Sequence, residues 1–347
     1  MDYELRTFDE SRNLESFVSL YNTVFGPLRP YYSWPITAER FRDKVLSHWE
    51  FRPEGFWLAF AGGELIGFLL AGFRDLPLMD RDVLSVEMSP VFLSAVGVAA
   101  GHRRRGVGRA LCEKAAAFAR DNGRTRLAVS ANPRAPMALF IGVQEDWREA
   151  HCFFSSVGFD AAGTCQNMVR GIAGYELDEP VRQAIARLAT EGCECREYRE
   201  SDYPALTELL AEHDWAYWDL DMLSKVGKWT KTRPFMETCF LECATDEIYG
   251  PDEIGVVVKD GAMLSFCAQT LNPRKRMAYL GPMLTRADAR NQGLGMIALQ
   301  ISLRQAARKG AVVCDLWTGM AGHVTHFYKK SGFRQVMRWF DYERKLR

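Results

Sequence analysis

The pattern of apolar and polar positions runs twice along this chain. Tyr3–Thr7 alternates as a short strand, a polar turn follows near Glu10, and Leu14–Phe25 carries apolar residues at helical spacing. The same order returns as Cys195–Tyr198, a polar turn near Glu200, and Tyr203–His213. In the first series Phe56–Ala61, Leu65–Phe73 and Val86–Val98 are rich in β-branched and aromatic residues and predict three strands. Val107–Asn122 then predicts a long helix that stops at Gly123. The second series offers strands at Ile254–Val258, Met263–Gln269 and Met277–Thr285, a helix Leu294–Lys309 ending at Gly310, and a strand Val312–Thr318. Each copy thus predicts strand, one or two helices, three strands, helix, strand, helix, strand. That is an α/β architecture of the α+β type: two tandem units, each a mixed twisted sheet flanked by helices.

Two motifs fix the register of the repeat. RRRGVG (Arg103–Gly108) is matched 187 positions later by RNQGLG (Arg290–Gly295), and FFSSVGF (Phe153–Phe159) is matched 174 positions later by FYKKSGF (Phe327–Phe333). The first copy therefore holds 13 extra residues, assigned to the Pro-containing stretch Asn132–Trp147, which reads as a loop. So long a period means tandem domains and not a solenoid. The expected division is residues 1–172, a linker region 173–192 around an amphipathic helix Glu179–Thr190, and residues 193–347.

Composition narrows the function. Hydrophobic residues at 48% and charged residues at 25% are ordinary for a soluble globular protein. Lys+Arg 44 balances Asp+Glu 44, so no global field draws in nucleic acid or an anionic membrane. The start lacks a basic segment leading into an apolar stretch, and Phe56–Phe73 is broken by Gly62, Gly63 and Glu64 into a hairpin, not a membrane span. A cytoplasmic protein without nucleic-acid or membrane partners is expected. The nine cysteines include the close pairs Cys193/Cys195 and Cys239/Cys243, neither of CxxC spacing, and the six histidines complete no ligand set. Reduced thiols and no metal follow; His323 and His326, three apart, have nothing nearby to make a metal site.

The chemistry lies in the repeated glycine motif. A glycine turn from strand to helix brings backbone close to a ligand, points successive N–H groups outward, and adds the positive end of the helix dipole. Pyrophosphate is the natural guest. Arg103, Arg104, Arg105 and Arg109 add charge in the first copy, whereas the second has Arg290 alone.

With these residues, both halves resemble GCN5-related N-acetyltransferase (GNAT) domains. VGVAAGHRRRGVGRAL and PMLTRADARNQGLGMIAL both follow that family's acetyl-CoA loop pattern, the second with Thr285 in place of the strand's final valine. Phe153-Phe154…Gly158-Phe159 and Phe327-Tyr328…Gly332-Phe333 match its later landmark. The resemblance implies acetyl-CoA as co-substrate, held in a gap between the fourth and fifth strands of each half. The backbone of Val96, Gly97 and Val98, and of Met283, Leu284 and Thr285, would take pantetheine. Behind Arg103 and Arg290, the loops Arg104, Arg105, Gly106, Val107, Gly108, Arg109 and Asn291, Gln292, Gly293, Leu294, Gly295, Met296 would take the phosphates. An acid at Gly108 or Gly295 is expected to project toward that ligand.

The family's proton donor to the leaving thiolate falls on Tyr328 in the second half and on Phe154 in the first, and phenylalanine cannot donate. The asparagine usual seven residues earlier is replaced by Trp147 and Ala321. Asp315, His323 and His326 are candidate bases. Aromatics Tyr31, Tyr32, Trp34 and Trp215, Tyr217, Trp218 occupy the segment the family uses for its acceptor, where packing serves equally well as an explanation. The resemblance implies an acetyl-CoA-dependent N-acyltransferase acting on a primary amine of a small molecule, with the C-terminal half catalytic. A non-catalytic CoA-binding scaffold and an antibiotic-modifying acetyltransferase are the alternatives; the residues leave the amine and the oligomeric state open.

Overall fold

The computed structural model describes residues 2–26, 36–47, 51–73, 90–129, 142–211, 249–273 and 275–346. The six acceptor-side aromatics, Cys239 and Cys243, residues 86–89 of the third expected strand and 132–141 of the extra loop lie outside them. The first half comprises β1 (Glu4–Thr7), α1 (Glu10–Phe25), α2 (Ala38–Phe41), β2 (Phe56–Ala61), β3 (Glu64–Gly72), β4 (Val91–Val98), α3 (Val107–Asp121), β5 (Arg126–Val129), β6 (Val143–Gln144), α4 (Arg148–Ser156) and β7 (Asp160–Gly171). After α5 (Glu179–Thr190) come β8 (Cys193–Glu197), α6 (Tyr203–Ala211), β9 (Tyr249–Lys259), β10 (Ala262–Asn272), β11 (Met277–Thr285), α7 (Leu294–Arg308), β12 (Val313–Gly319), α8 (Gly322–Lys330) and β13 (Arg334–Lys345).

Local rules explain the long elements. Asp9 caps α1 by accepting from the Ser11 amide at 3.0 Å, and Leu14, Phe17, Val18, Tyr21, Val24 and Phe25 bury one face of it. That face meets Phe56, Leu58, Phe68 and Leu70 of β2 and β3 in an aromatic core, with Phe8 stacked on Phe56 at 4.3 Å. On the opposite side α3 buries Leu111, Cys112, Ala115 and Ala119 against Ile66, Leu69 and Leu93. The second half repeats the arrangement, with α6 against β9 and β10 and α7 against β10–β12.

The halves do not keep separate sheets. All thirteen strands among the described residues form one sheet, in the order β1-β2-β3-β4-β5-β13-β7-β12-β11-β10-β9-β8, with β6 also pairing β13. The last strand of each half has crossed over: β13 pairs antiparallel with β5, and β7 pairs antiparallel with β12. Between them β7 and β13 run antiparallel, and the register is symmetric. Cys165 pairs with Trp339, its own equivalent 174 positions on, and the extra residues Ala162 and Val336 are equivalent as well. A local dyad therefore passes between Cys165 and Trp339.

The exchange is locked by side chains that cross it. Arg170 of β7 donates to the Ser331 carbonyl at 2.6 Å and lies against Gly332; Arg344 of β13 lies against the equivalent Gly158 and pairs with Glu113 of α3 at 2.8 Å. Asn167 of β7 donates to Asp315 at 2.9 Å and accepts from the Trp339 indole at 2.5 Å, a buried polar chain through β12, β7 and β13. Tyr342 of β13 stacks on Phe154 of α4, ring centroids 5.6 Å apart, and its hydroxyl meets His151 Nδ1 at 2.6 Å. His151 Nε2 faces the Gln144 carbonyl at 2.8 Å, which can only accept, so in the neutral ring Nδ1 accepts the Tyr342 proton. Removing that proton donor with Tyr342→Phe should cost about 1–2 kcal/mol, read as a lower denaturation midpoint at unchanged m. An unshifted midpoint would contradict the clamp.

Candidate functional site

The two glycine loops share one backbone. Each strand, β4 and β11, leads through a single turn (Ala100–His102 and Ala287–Ala289) into the motif. Arg104 and Gly106 take φ of 63° and 85°, and Asn291 and Gly293 take 63° and 81°. Alternating left-handed residues turn successive amides to the same side, a concavity suited to anions. Gly106 and Gly293 are the N-caps of α3 and α7, and neither helix start carries a side-chain cap, so its first amides remain for a ligand. Arg103 Nε donates to the Val98 carbonyl at 3.1 Å and Arg290 Nε to the Thr285 carbonyl at 3.3 Å. The arginine that heads each motif thus braces the loop against the end of its strand.

The other expected charges divide. Arg103 also pairs with Glu149 of α4 at 2.8 Å, and Arg109 donates to the Ser156 carbonyl at 2.8 Å, so both serve the packing of α4. Arg104 and Arg105 are exposed on the loop. In the second loop Arg286 pairs with Asp288 at 2.6 Å and Gln292 donates to the Asp288 carbonyl at 3.4 Å. The later glycines correct an expectation. A Cβ on Gly108 would lie 2.8 Å from the Phe153 ring, and one on Gly295 would lie 3.0 Å from Met283 and 3.1 Å from the Thr285 hydroxyl. An acid there would strike packed side chains before reaching any ligand; these glycines let helix and neighbours approach closely.

Before the loops the strands open. Among the described residues β4 pairs in parallel with β5 at Val91 and Phe92, and β11 with β12 from Met277 to Leu280. Each then carries a β-bulge, at Ser94 in β4 and at Gly281–Pro282 in β11. Ser94 and Gly281 both lie nine residues before the leading arginine. Past the bulge, Val96, Gly97 and Val98 pair with β3, and Met283, Leu284 and Thr285 pair with β10. Among the described residues no strand pairs with their other edge. Among the described residues a row of backbone groups in each half is thus left without a strand on that edge. Gly281-Pro282 inside an apolar strand is a legible bulge signal; Ser94 gives none.

Thr285 has a partner that sequence reasoning missed. Its hydroxyl lies 2.8 Å from Ser265 Oγ, which also donates to the Leu284 carbonyl at 3.1 Å. The same register in the first half pairs Val98 with Gly67. The departure from valine is thus compensated across the strand pair.

The aromatic positions differ between halves. Phe154 is 3% exposed and packs among Phe153, Phe159 and Tyr342. Tyr328 is half-buried on α8, edge-on to Phe327 and Phe333, and its hydroxyl contacts the Met283 sulfur of β11 at 4.0 Å. Burial holds its pKa well above the usual tyrosine value, so the phenol keeps its proton. Asp315 is buried and bonded to Asn167, away from solvent, while His323 and His326 are exposed on α8. Trp147 packs edge-on to Trp339 at 6.1 Å, and Trp147 and Ala321 stand as N-caps of α4 and α8 without side-chain caps. Among the described residues no group of three His, Cys, Asp or Glu is placed to hold a metal, and no helix is long and apolar enough to cross a membrane. Burial pushes the Cys267 thiol beside Ser302 up to about 12, a protonated and unreactive state.

The sequence model described as Acetyltransferase (GNAT) family matches the chain twice, over residues 17–141 and 210–333. Compared with curated protein sequences, the chain matches none. Among solved structures it is similar to the GCN5-related glucosamine N-acetyltransferase region of a fungal multi-domain GH3 β-N-acetylglucosaminidase, at 14% identity and TM-score 0.70. That match covers 99% of this chain and 38% of the fungal one, so the chain spans little more than a third of that relative. A tandem GNAT protein from the clavulanic acid biosynthesis pathway matches at 15% identity and TM-score 0.65, covering 99% of this chain and 98% of that one. A GCN5-related N-acetyltransferase from Sphaerobacter thermophilus matches at 14% and 0.62, covering 99% and 96%. Likeness at such identities is one of fold.

The hydroxyl pair at the base of the second loop has a measurable signature. Ser265→Ala should cost about 1 kcal/mol. Thr285→Val added to it should cost little more, because the pair is lost only once. Fully additive losses in denaturant unfolding would show that the two hydroxyls do not interact.

Proposed function

Because the chain belongs to the acetyltransferase (GNAT) family, matched in both halves, we propose that it transfers an acyl group from acetyl-CoA to a primary amine of a small molecule, with the chemistry in the second half. The observation that carries the assignment is Tyr328. Its hydroxyl stands beside Met283 on the open edge of β11, whereas the equivalent Phe154 is sealed in the core under Tyr342.

The residues suit acetyl-CoA in both halves. The bulged, one-sided strands offer backbone N–H and C=O groups to the amides of pantetheine, through Val96–Val98 in the first half and Met283–Thr285 in the second. The uncapped helix starts and left-handed loop residues offer amides to a pyrophosphate, at 104–109 and 291–296. When bound, acetyl-CoA supplies a thioester carbonyl and a thiol leaving group. Tyr328 holds a proton at Oη, available to a leaving sulfur, and its buried position keeps it protonated at neutral pH and above. A neutral amine is the other requirement, and water can take its proton. The first half, lacking a donor at Phe154, is read as a ligand-holding unit. The fungal neighbour's glucosamine activity makes amino sugars the first amines to assay.

Free-thiol release across an amine panel tests the reading. Tyr328→Phe should lower kcat roughly ten- to a thousandfold with little change in CoA affinity; an unchanged kcat would remove Tyr328 from the chemistry. Which half works is tested at the left-handed loop positions, where aspartate is tolerated. Asn291→Asp puts a carboxylate into the second anion concavity and should abolish most turnover by weakening CoA binding about tenfold or more, roughly 1.4 kcal/mol. Arg104→Asp should weaken calorimetric binding to the first half and leave most turnover. The opposite pattern would move the chemistry beside Phe154.

A further inference from the structure

Helix α8 carries Tyr328, yet its own sequence anchors it poorly. Ala321, at its N-cap, offers no side chain to the first amides. The anchor comes from the other half. Gln166 lies on the exchanged strand β7, is fully buried, and donates from Nε2 to the Thr325 hydroxyl at 2.7 Å and to the Gly319 carbonyl at 3.3 Å. The Gly319 carbonyl can only accept, which fixes which end of the amide faces α8. Thr325 precedes Tyr328 by three residues, so the two side chains lie on one face of the helix, a single turn apart.

The first half repeats the device with different chemistry. His151 is the equivalent of Thr325, 174 positions earlier, and it too bonds a residue of the exchanged strand, Tyr342 of β13. A helix without a capping side chain is thus tied at the same turn to the partner half's strand in both copies. Only in the second copy does that helix carry a phenol.

We propose that Gln166 of the first half is a positioning residue for Tyr328 of the second, acting through Thr325 to set the height and rotation of α8 over β11. The proposal rests on the reading of Tyr328 as the proton donor. It makes the second site a composite one: its donor helix is held by a strand contributed by the other half. A displacement of about 1 Å at a reacting group can cost up to about a hundredfold in rate, so loss of this bond should appear in kcat and not in CoA binding, whose groups lie on β11 and the α7 loop.

The test uses the full chain. Thr325→Val keeps the side-chain shape and removes the hydroxyl; Thr325→Ser keeps the hydroxyl. Thr325→Val and Gln166→Met should each lower kcat about five- to fiftyfold with calorimetric CoA affinity within about twofold, and Thr325→Ser should retain kcat. In a Tyr328→Phe background, Thr325→Val should lower kcat no further, because it acts only through the phenol. If Gln166→Met fails to fold, the Thr325 pair and this background carry the test alone. Wild-type kcat in Thr325→Val, or an equal loss with and without Tyr328, overturns the positioning role while the function proposed for Tyr328 stands. Full activity of Tyr328→Phe overturns that function, and the positioning role with it.

Discussion

Strands β7 and β13 pair antiparallel about a dyad at Cys165 and Trp339, and this pairing dictates how the two halves relate. A half that kept its own last strand would present a closed sheet and could drift relative to its twin. Here β5 takes its neighbour from the second half and β12 takes its neighbour from the first. Stripped of these partners, β5 and β12 would each expose an unpaired edge of buried residues, a costly and aggregation-prone state. The arginines at Gly158 and Gly332, the Asn167 chain and the Tyr342–His151 bond sit on this seam, which is where crossing interactions are most needed.

Function inherits the symmetry and then departs from it. The left-handed loop residues, bulges and open strand edges recur in both halves as backbone features. The side chains around this shared backbone diverge. Phe154 has been absorbed into the core under the partner's Tyr342, while Tyr328 keeps a hydroxyl beside β11. The seam that joins the halves also holds, through Gln166 and Thr325, the helix bearing that hydroxyl.

The elements and both loops were legible in the sequence because they rest on local rules: apolar period, glycine at left-handed positions, and spacing that repeats. Boundaries fell within a few residues; Ile254–Val258 proved longer, as Tyr249–Lys259, because its alternation is weak at Pro251 and Asp252. The exchange was not legible. β7 and β13 join a fifth strand by backbone pairing, and no single residue reports a partner 142 to 219 positions away. The packing roles of Arg103 and Arg109, and the direction of a side chain at Gly108, were not legible for a related reason. A charge or a glycine in a phosphate motif looks ligand-directed until the helix packed behind it is seen, here α4 with Glu149, Ser156 and Phe153. Thr285 departs from the motif's valine, and the sequence did not show that Ser265 stands opposite it.

Native-state hydrogen exchange tests the interlocking most directly. If the halves share one sheet through exchanged strands, amides of β5, β13, β7 and β12 should open together with one free energy, the largest in the molecule. Protection that divides instead into two independent groups, with β7 opening alongside β1–β5 and β13 alongside β8–β12, would contradict the exchange and the composite site built on it.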